Sequence, residues 1–220
     1  MKFKDRKEAG WLLAQSLKDF AGQSDVIVLA LPRGGVPVAY EIAQALNAPM
    51  DVLPVRKLGL PEQKELAIGA IAYGGARALN EDVIRELNIP AELIDEITQR
   101  ESRELERRAR LYRNNQPAPK LNGRTIILVD DGLATGSTMR AAVSAVRQQF
   151  PARIIVAVPV AAQSTCESFN RPDRTSTCVC QFAVEPFYAV SLWYEDFDQT
   201  TDEEVCELLD RAKRQTNRSS

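Results

Sequence analysis

Three stretches of the chain are apolar at nearly every position, Asp25–Leu31 (DVIVLAL), Thr125–Val129 (TIILV) and Arg153–Val160, and Ala48–Leu53, leading through Pro54 and Val55, and Thr177–Val184 (TCVCQFAV) are two further strand candidates. Continuous apolar character, without alternation, marks a strand covered on both faces, as in a parallel sheet sandwiched between helices. The segments between them place apolar residues at helical spacing instead. Ala9, Leu12, Leu13, Leu17 and Phe20 predict a packing helix with Asp5 as its cap. Val36–Leu46, Glu81–Leu87, Pro90–Arg113, Thr138–Val146, Ser164–Phe169 and Glu203–Lys213 predict further helices. Strands near 25–31, 50–55, 125–130, 154–160 and 178–184 with helices between them predict an α/β fold, a five-stranded, mostly parallel sheet flanked by helices.

Two strand-to-helix junctions carry chemistry. The run Thr125–Val129 ends in Asp130 and Asp131, followed by Gly132, Leu133, Ala134, Thr135, Gly136, Ser137 and Thr138 at the start of a helix. Small residues let the backbone close on a ligand, and N–H groups and hydroxyls converging at a helix N-terminus suit a phosphate. Two acids beside a phosphate site make sense when the ligand is a phosphorylated sugar, whose ribose hydroxyls donate to carboxylates. The competing readings are a solvated acidic turn and a Walker A loop. The latter needs a lysine, and no Lys lies between Lys120 and Lys213. At the second junction, Asp25–Leu31 ends in Pro32-Arg33-Gly34-Gly35, a cation and two glycines where open α/β sheets bind their ligands. Taken alone, that turn reads equally well as a helix start with a solvated arginine.

The segment VDDGLATGST resembles the 5-phosphoribosyl-1-diphosphate (PRPP) signature of the type I phosphoribosyltransferases, and the resemblance covers roughly residues 25–200. It implies transfer of ribose 5-phosphate from PRPP to an acceptor nitrogen with release of pyrophosphate. Asp130 and Asp131 would hold the ribose 2′- and 3′-hydroxyls, and the loop from Gly132 and Leu133 through Ala134, Thr135, Gly136, Ser137 and Thr138 would bind the 5′-phosphate. Pro32, Arg33, Gly34 and Gly35 fall where the family has its pyrophosphate loop, with Arg33 gripping the diphosphate. Arg56-Lys57 followed by Leu60-Pro61 resembles the flexible loop of adenine phosphoribosyltransferases, which makes Lys57 the first candidate for a diphosphate cation and Arg56 the second. The family's Mg²⁺ would sit on the diphosphate, reaching Asp130 and Asp131 largely through water and PRPP. Members with 6-oxopurine acceptors carry a third Asp where this chain has Ala134, which leaves adenine as the leading acceptor and Glu65 as a candidate proton-handling group.

Residues 58–75, with four glycines, are expected to form an exposed, mobile lid, and residues 81–113 a helical insertion before the signature strand. The arginines of that insertion are interrupted by Glu101, Glu104 and Glu106, which predicts a salt-bridged solvent face in place of a nucleic-acid surface. The insertion also offers a surface for an expected homodimer. Near the C-terminus, Phe187, Tyr188, Trp193, Tyr194 and Phe197 fall within eleven residues of a chain that is only 6% aromatic. The family builds a hood over the base from its terminal segments, so Phe187, Trp193 or Tyr194 would contact a nucleobase, while ordinary core packing is the other reading.

Composition bounds the rest. With 220 residues, 45% of them apolar, the chain is expected to be one domain, with its core at about 25–184 and the hood and last helix at about 185–215. A formal net charge of −2 gives no basic footprint for nucleic acid, so the expected partners are PRPP and a nucleobase-like acceptor. The chain has no histidine, which removes Ser-His-Asp and Cys-His catalysis and His-metal sites. Four cysteines without a metal or CxxC spacing read as reduced, packed thiols. Without a signal-peptide pattern or a run of about 20 apolar residues, a cytoplasmic location with no membrane contact is expected. The alternative function is a non-catalytic PRPP- or nucleotide-sensing regulator on the same fold.

Overall fold

The computed structural model describes residues 2–60, 67–170 and 176–216. In chain order the elements are α1 (Arg6–Gln15), β1 (Val26–Ala30), α2 (Gly35–Leu46), β2 (Met50–Val52), β3 (Val55–Gly59), β4 (Ala67–Ala72), β5 (Arg77–Leu79), α3 (Glu81–Glu86), α4 (Ala91–Arg113), β6 (Thr125–Val129), α5 (Ser137–Arg147), β7 (Arg153–Ala162), α6 (Gln163–Glu167), β8 (Ser176–Val184) and α7 (Asp202–Thr216). The predicted central sheet is present, with order β2-β1-β6-β7-β8 and every neighbouring pair parallel.

The apolar runs are continuous because successive side chains enter two different cores. Val26, Val28 and Ala30 of β1, with Ile127 and Val129 of β6, face a layer built from α1, α2 and α7 that contains Leu13, Ile42 and Leu209. Ile27, Leu29, Ile126 and Leu128 point the other way, against Met139, Val143 and Val146 of α5. All of these residues are buried, each Val, Leu, Ile and Met side chain contributing about 1.5–3 kcal/mol. The cap predicted for α1 is present, with Asp5 Oδ1 accepting from Glu8 N at 2.8 Å.

Three expectations need correction. Residues 58–75 are not an exposed connection throughout: β3, β4 and β5 form a three-stranded antiparallel sheet, and Leu58, Ile68 and Ile71 pack with Ile94, Ile97 and Leu105 of α4. The glycines suggested mobility, yet Gly69 serves close strand approach, since a Cβ there would lie 2.5 Å from the Ala78 carbonyl oxygen. Residues 61–66, Glu65 among them, lie outside the described part. Second, the strand expected near 50–55 stops at Val52, and Arg56 and Lys57 stand within β3 of the smaller sheet. Third, Cys166 of α6 and Cys178 of β8 are joined in a disulfide, while Cys180 and Cys206 are free thiols. The parallel β7–β8 crossover brings the joined pair together from twelve residues apart, a proximity no spacing rule announces.

The small sheet and α4 are tied to the central sheet by a buried cation. Arg113, the last residue of α4, donates through Nε to both carboxylate oxygens of Asp51 (3.2 and 3.0 Å) and through Nη2 to the Val52 carbonyl at 2.6 Å. Its guanidinium lies 5.0 Å from the centre of the Tyr73 ring in the turn after β4. Among the described residues no helix is long and apolar enough to cross a membrane.

Arg113→Ala leaves Asp51 without its counter-charge where both side chains are nearly solvent-free, and is expected to cost about 3–5 kcal/mol of stability. Guanidinium chloride unfolding measures it, and a loss below about 1 kcal/mol would show that this anchor is not structural.

Candidate functional site

Because β1 and β6 are direct parallel neighbours, the loops that leave their C-terminal ends emerge side by side. Leu31 N donates to Val129 O at 2.8 Å, which carries the pairing one residue past the strands. The Pro32–Gly35 turn, whose Pro32–Arg33 peptide is cis, then lies directly against Asp130 and Asp131. A Cβ on Gly35 would stand 2.6 Å from Val129 O and 2.9 Å from Asp130 Cα, and one on Gly34 would fall well inside contact distance of Asp131 Oδ2. Glycine is needed at both positions for close backbone approach to the acids.

The acid pair is held from several sides. Asp131 N donates to Asp130 Oδ1 at 2.9 Å. Arg6, at the start of α1, donates through Nε to Asp131 Oδ2 at 2.9 Å and through Nη1 to the Asp198 carbonyl at 2.7 Å. The Arg6 guanidinium carbon lies 3.9 Å from the Phe197 ring centre, a cation–π contact that helps hold it. Tyr194 OH donates to the Asp131 carbonyl at 2.6 Å. Burial raises both carboxyl pKa values above the ordinary carboxylate range, Asp130 further through the charge on Asp131, while Arg6 pulls both back toward ionisation.

The loop that follows is strapped to β7: Leu133 N donates to Val160 O and Ala162 N to Leu133 O, both at 2.9 Å. Gly136 takes a left-handed φ of +74° to start α5, and no side chain caps that helix. Its first-turn N–H groups therefore lack helical acceptors and suit an anion. Thr165 Oγ1 of α6 donates to Ala134 O at 2.7 Å, and Arg140 donates to Thr135 O and to Ser168 Oγ. Thr135, Ser137 and Arg140 share a cleft of about 660 Å³ with Lys57 of β3.

The remaining sequence candidates separate clearly. Arg33 Nη1 stands 3.8 Å from Asp202 Oδ1 of α7, a carboxylate that also accepts from Tyr112 OH at 2.6 Å. Arg56 is held by Glu101 of α4 at 2.6 Å, whereas Lys57 is exposed to the cleft. Tyr194 is 3% exposed, with Phe3 and Phe197 at ring-centre distances of 5.4 and 4.9 Å. Its ring packs within the core of the hood. Trp193 stacks on Phe182 at 5.9 Å, and Phe187 is partly buried in the same cluster. The hood reaches the site through Val190, whose Cγ1 would be 2.5 Å from a Cβ on Gly132. Sequence reasoning missed Arg6, Tyr112, Asp202 and Arg140. Only Arg140, next to the small-residue loop, lay where a local signal could have drawn attention.

A metal at this site would meet hard oxygen donors. Asp130 and Asp131 offer two carboxylates against one fixed cation, Arg6, a surplus that fits Mg²⁺. Among the described residues no group of three or more His, Cys, Asp or Glu could complete a metal shell from protein alone, which leaves the remaining positions to water and ligand oxygens.

The sequence profile of the phosphoribosyl transferase domain matches residues 55–189. The chain belongs to the type I phosphoribosyltransferase family. Two Mycobacterium tuberculosis proteins, from strains CDC 1551 and H37Rv, are provisionally named phosphoribosyl transferases and are 44% identical over 212 residues, 96% of this chain. The chain spans about half the length of these relatives, 47% of each. The crystal structure of TT1426 from Thermus thermophilus matches with 40% identity and a TM-score of 0.78, covering 95% of this chain and 98% of that one. The phosphoribosyltransferase fold thus accounts for the paired loops at the ends of β1 and β6.

Gly34→Ala forces Asp131 away from the position in which Arg6 holds it. Overpacking at such a pinned site is expected to destabilise the protein by about 1–3 kcal/mol, measured by urea unfolding. An alanine variant as stable as the wild type would mean that the two loops can separate freely.

Proposed function

We propose that the protein transfers ribose 5-phosphate from PRPP to a nitrogen of a nucleobase-like acceptor, releasing pyrophosphate. The observation that supports this reading is the contact between the Gly34-Gly35 backbone and the Asp130-Asp131 pair, because a turn with the backbone and cation to suit a diphosphate then lies beside carboxylates that can accept from ribose hydroxyls. The bond from ribose C1 to the diphosphate oxygen breaks with its electron pair leaving on the diphosphate. The acceptor nitrogen supplies the pair for the new bond to C1, and its proton passes to water or to the departing diphosphate. Asp130 and Asp131 orient the sugar through its 2′- and 3′-hydroxyls, and the loop from Ala134 to Thr138 with the α5 N-terminus takes the 5′-phosphate.

Charge on the leaving group is met by Arg33 and Lys57. The Arg33–Asp202 pair is long and its side chains are about 30% exposed, so it is worth under about 1 kcal/mol and yields readily to a diphosphate. Arg56 supports the subsite from its pair with Glu101. When bound, Mg²⁺ neutralises further charge on the diphosphate, and Asp130 and Asp131 would hold it largely through water and PRPP. For the acceptor, Ala134 supplies no side-chain proton donor or acceptor near the base, which favours adenine over 6-oxopurines. Phe187 and Trp193 are the aromatic candidates for contact with it.

Mg²⁺-dependent pyrophosphate release from PRPP across a panel of nucleobases tests the activity. A folded protein that binds PRPP but releases nothing with any base would point to a sensor. Turnover of guanine or hypoxanthine with adenine inert would contradict the role given to Ala134.

Two variants test the residue roles. Asp130→Asn with Asp131→Asn removes charge-assisted hydrogen bonds worth about 1.5–3 kcal/mol each. Calorimetry should show at least about a hundred-fold weaker PRPP binding by the folded double variant, and unchanged affinity would remove the acids from the ribose site. Arg33→Ala is expected to lower kcat more than it raises the PRPP KM, and an effect confined to KM would mean uniform binding of substrate and transition state.

A further inference from the structure

Lys57 borders a second cleft on its α4 side, and that cleft is strongly cationic. It has a volume of about 550 Å³, and its charged lining is Arg56, Lys57, Arg100, Arg108 and Glu101. Four cations against one carboxylate give a formal charge of +3 in a chain whose net charge is −2.

The arginines are each tethered through Nε to a carboxylate. Glu101, whose side chain is 10% exposed, accepts from Arg56 Nε at 2.6 Å on one oxygen and from Arg100 Nε at 3.1 Å on the other. Arg108 is tethered in the same manner, its Nε donating to Glu104 at 2.7 Å. Arg107 shares that carboxylate, so Glu104 neutralises only part of the charge along this edge. Each guanidinium carries five N–H donors, and a single Nε bond leaves the terminal pairs. Among the described residues the terminal nitrogens of Arg56, Arg100 and Arg108 make no hydrogen bond of their own. Preoriented guanidinium forks match the oxygens of phosphate groups, and having few torsions left to freeze lowers the cost of binding. Arg100, Glu104 and Arg108 follow at i, i+4 spacing, and the next step, Tyr112, bonds the Asp202 carboxylate that also faces Arg33. The α4 edge therefore leads from this cleft to the turn after β1.

We propose that the cleft between β3 and α4 is an oligophosphate-binding site, taking a chain of two or three phosphates on Arg56, Lys57, Arg100 and Arg108. The ligand is an oligophosphate separate from the diphosphate of a bound phosphoribosyl donor, which the function proposed above sets at Gly34 and Gly35. Binding requires neither the acid pair nor catalysis, so the site stands or falls apart from the function proposed above.

Inorganic tripolyphosphate is the probe, titrated calorimetrically into the full chain in metal-free, low-salt buffer. Wild type should bind it, and Arg100→Ala with Arg108→Ala should weaken binding by about ten-fold or more. Asp130→Asn with Asp131→Asn should bind it as the wild type does. Arg100→Lys with Arg108→Lys, which keeps the charge but not the forks, should fall between. Should the double alanine variant fail its circular-dichroism check, the single Arg100→Ala change at a half-exposed position should still weaken binding measurably. Simultaneous binding of tripolyphosphate and PRPP is expected, whereas mutual exclusion would assign these cations to the donor's diphosphate and overturn the proposal. No binding by the wild type, or equal affinity in the folded Arg100→Ala, Arg108→Ala variant, overturns the proposal.

Discussion

The parallel pairing of β1 with β6 is the constraint on which the rest of the site depends. Two strands in register deliver two loops to the same place, and only glycine at positions 34 and 35 lets the first loop lie against the acids of the second. Everything polar at the site is then arranged around the resulting concentration of charge. Two buried neighbouring carboxylates repel each other, and the protein brings one cation, Arg6, from the other end of the chain to hold the second of them. That cation rests on Phe197, and Phe197 on Tyr194, whose hydroxyl bonds back to the Asp131 carbonyl. The terminal segments form one braced unit with the acid pair, joined by backbone bonds between Phe3, Trp193 and Glu195.

A second unit, the small antiparallel sheet with α4, supplies Lys57 and is fastened by Arg113 to Asp51 and Val52 at the edge of the central sheet. The two units meet the site at different places: Arg6 and the hood reach Asp131, and Lys57 shares a cleft with Thr135 and Ser137. In the function proposed above, this division would let the hood side hold the sugar while cations for a leaving group come from a separately packed part. Phosphoryl and diphosphate chemistry needs both, positioning at the sugar and charge neutralisation at the departing oxygens.

The central sheet was legible because burial on both faces gives an unbroken apolar run, and Asp130-Asp131 was legible because the strand, the acids, the small loop and the helix are contiguous. The second sheet was hidden by its own composition. Gly59, Gly69, Gly74 and Gly75 together with charged residues look like a loop, although Gly69 is there to admit the Ala78 backbone. Contacts between distant residues left no local trace. Arg6 and Asp131 are 125 positions apart, and nothing about an arginine at the start of an amphipathic helix distinguishes it from a solvated one. Arg56 is claimed by α4 through the buried Glu101, 45 residues away, while Lys57 is left facing the cleft, and neither position carries a local sign of that difference. Tyr194 shows the same limit from the other side, since an aromatic cluster announces a core or a ligand wall without saying which.

The central claim is that the loops after β1 and β6 together form one cradle for a phosphoribosyl donor. A crystal structure of the protein with PRPP and Mg²⁺ tests it most directly. The account predicts ribose hydroxyls within hydrogen-bonding distance of Asp130 and Asp131, the 5′-phosphate on the Ala134–Thr138 amides, and the diphosphate over Gly34 and Gly35. Clear density for PRPP elsewhere, or a ribose turned away from both acids, would contradict it.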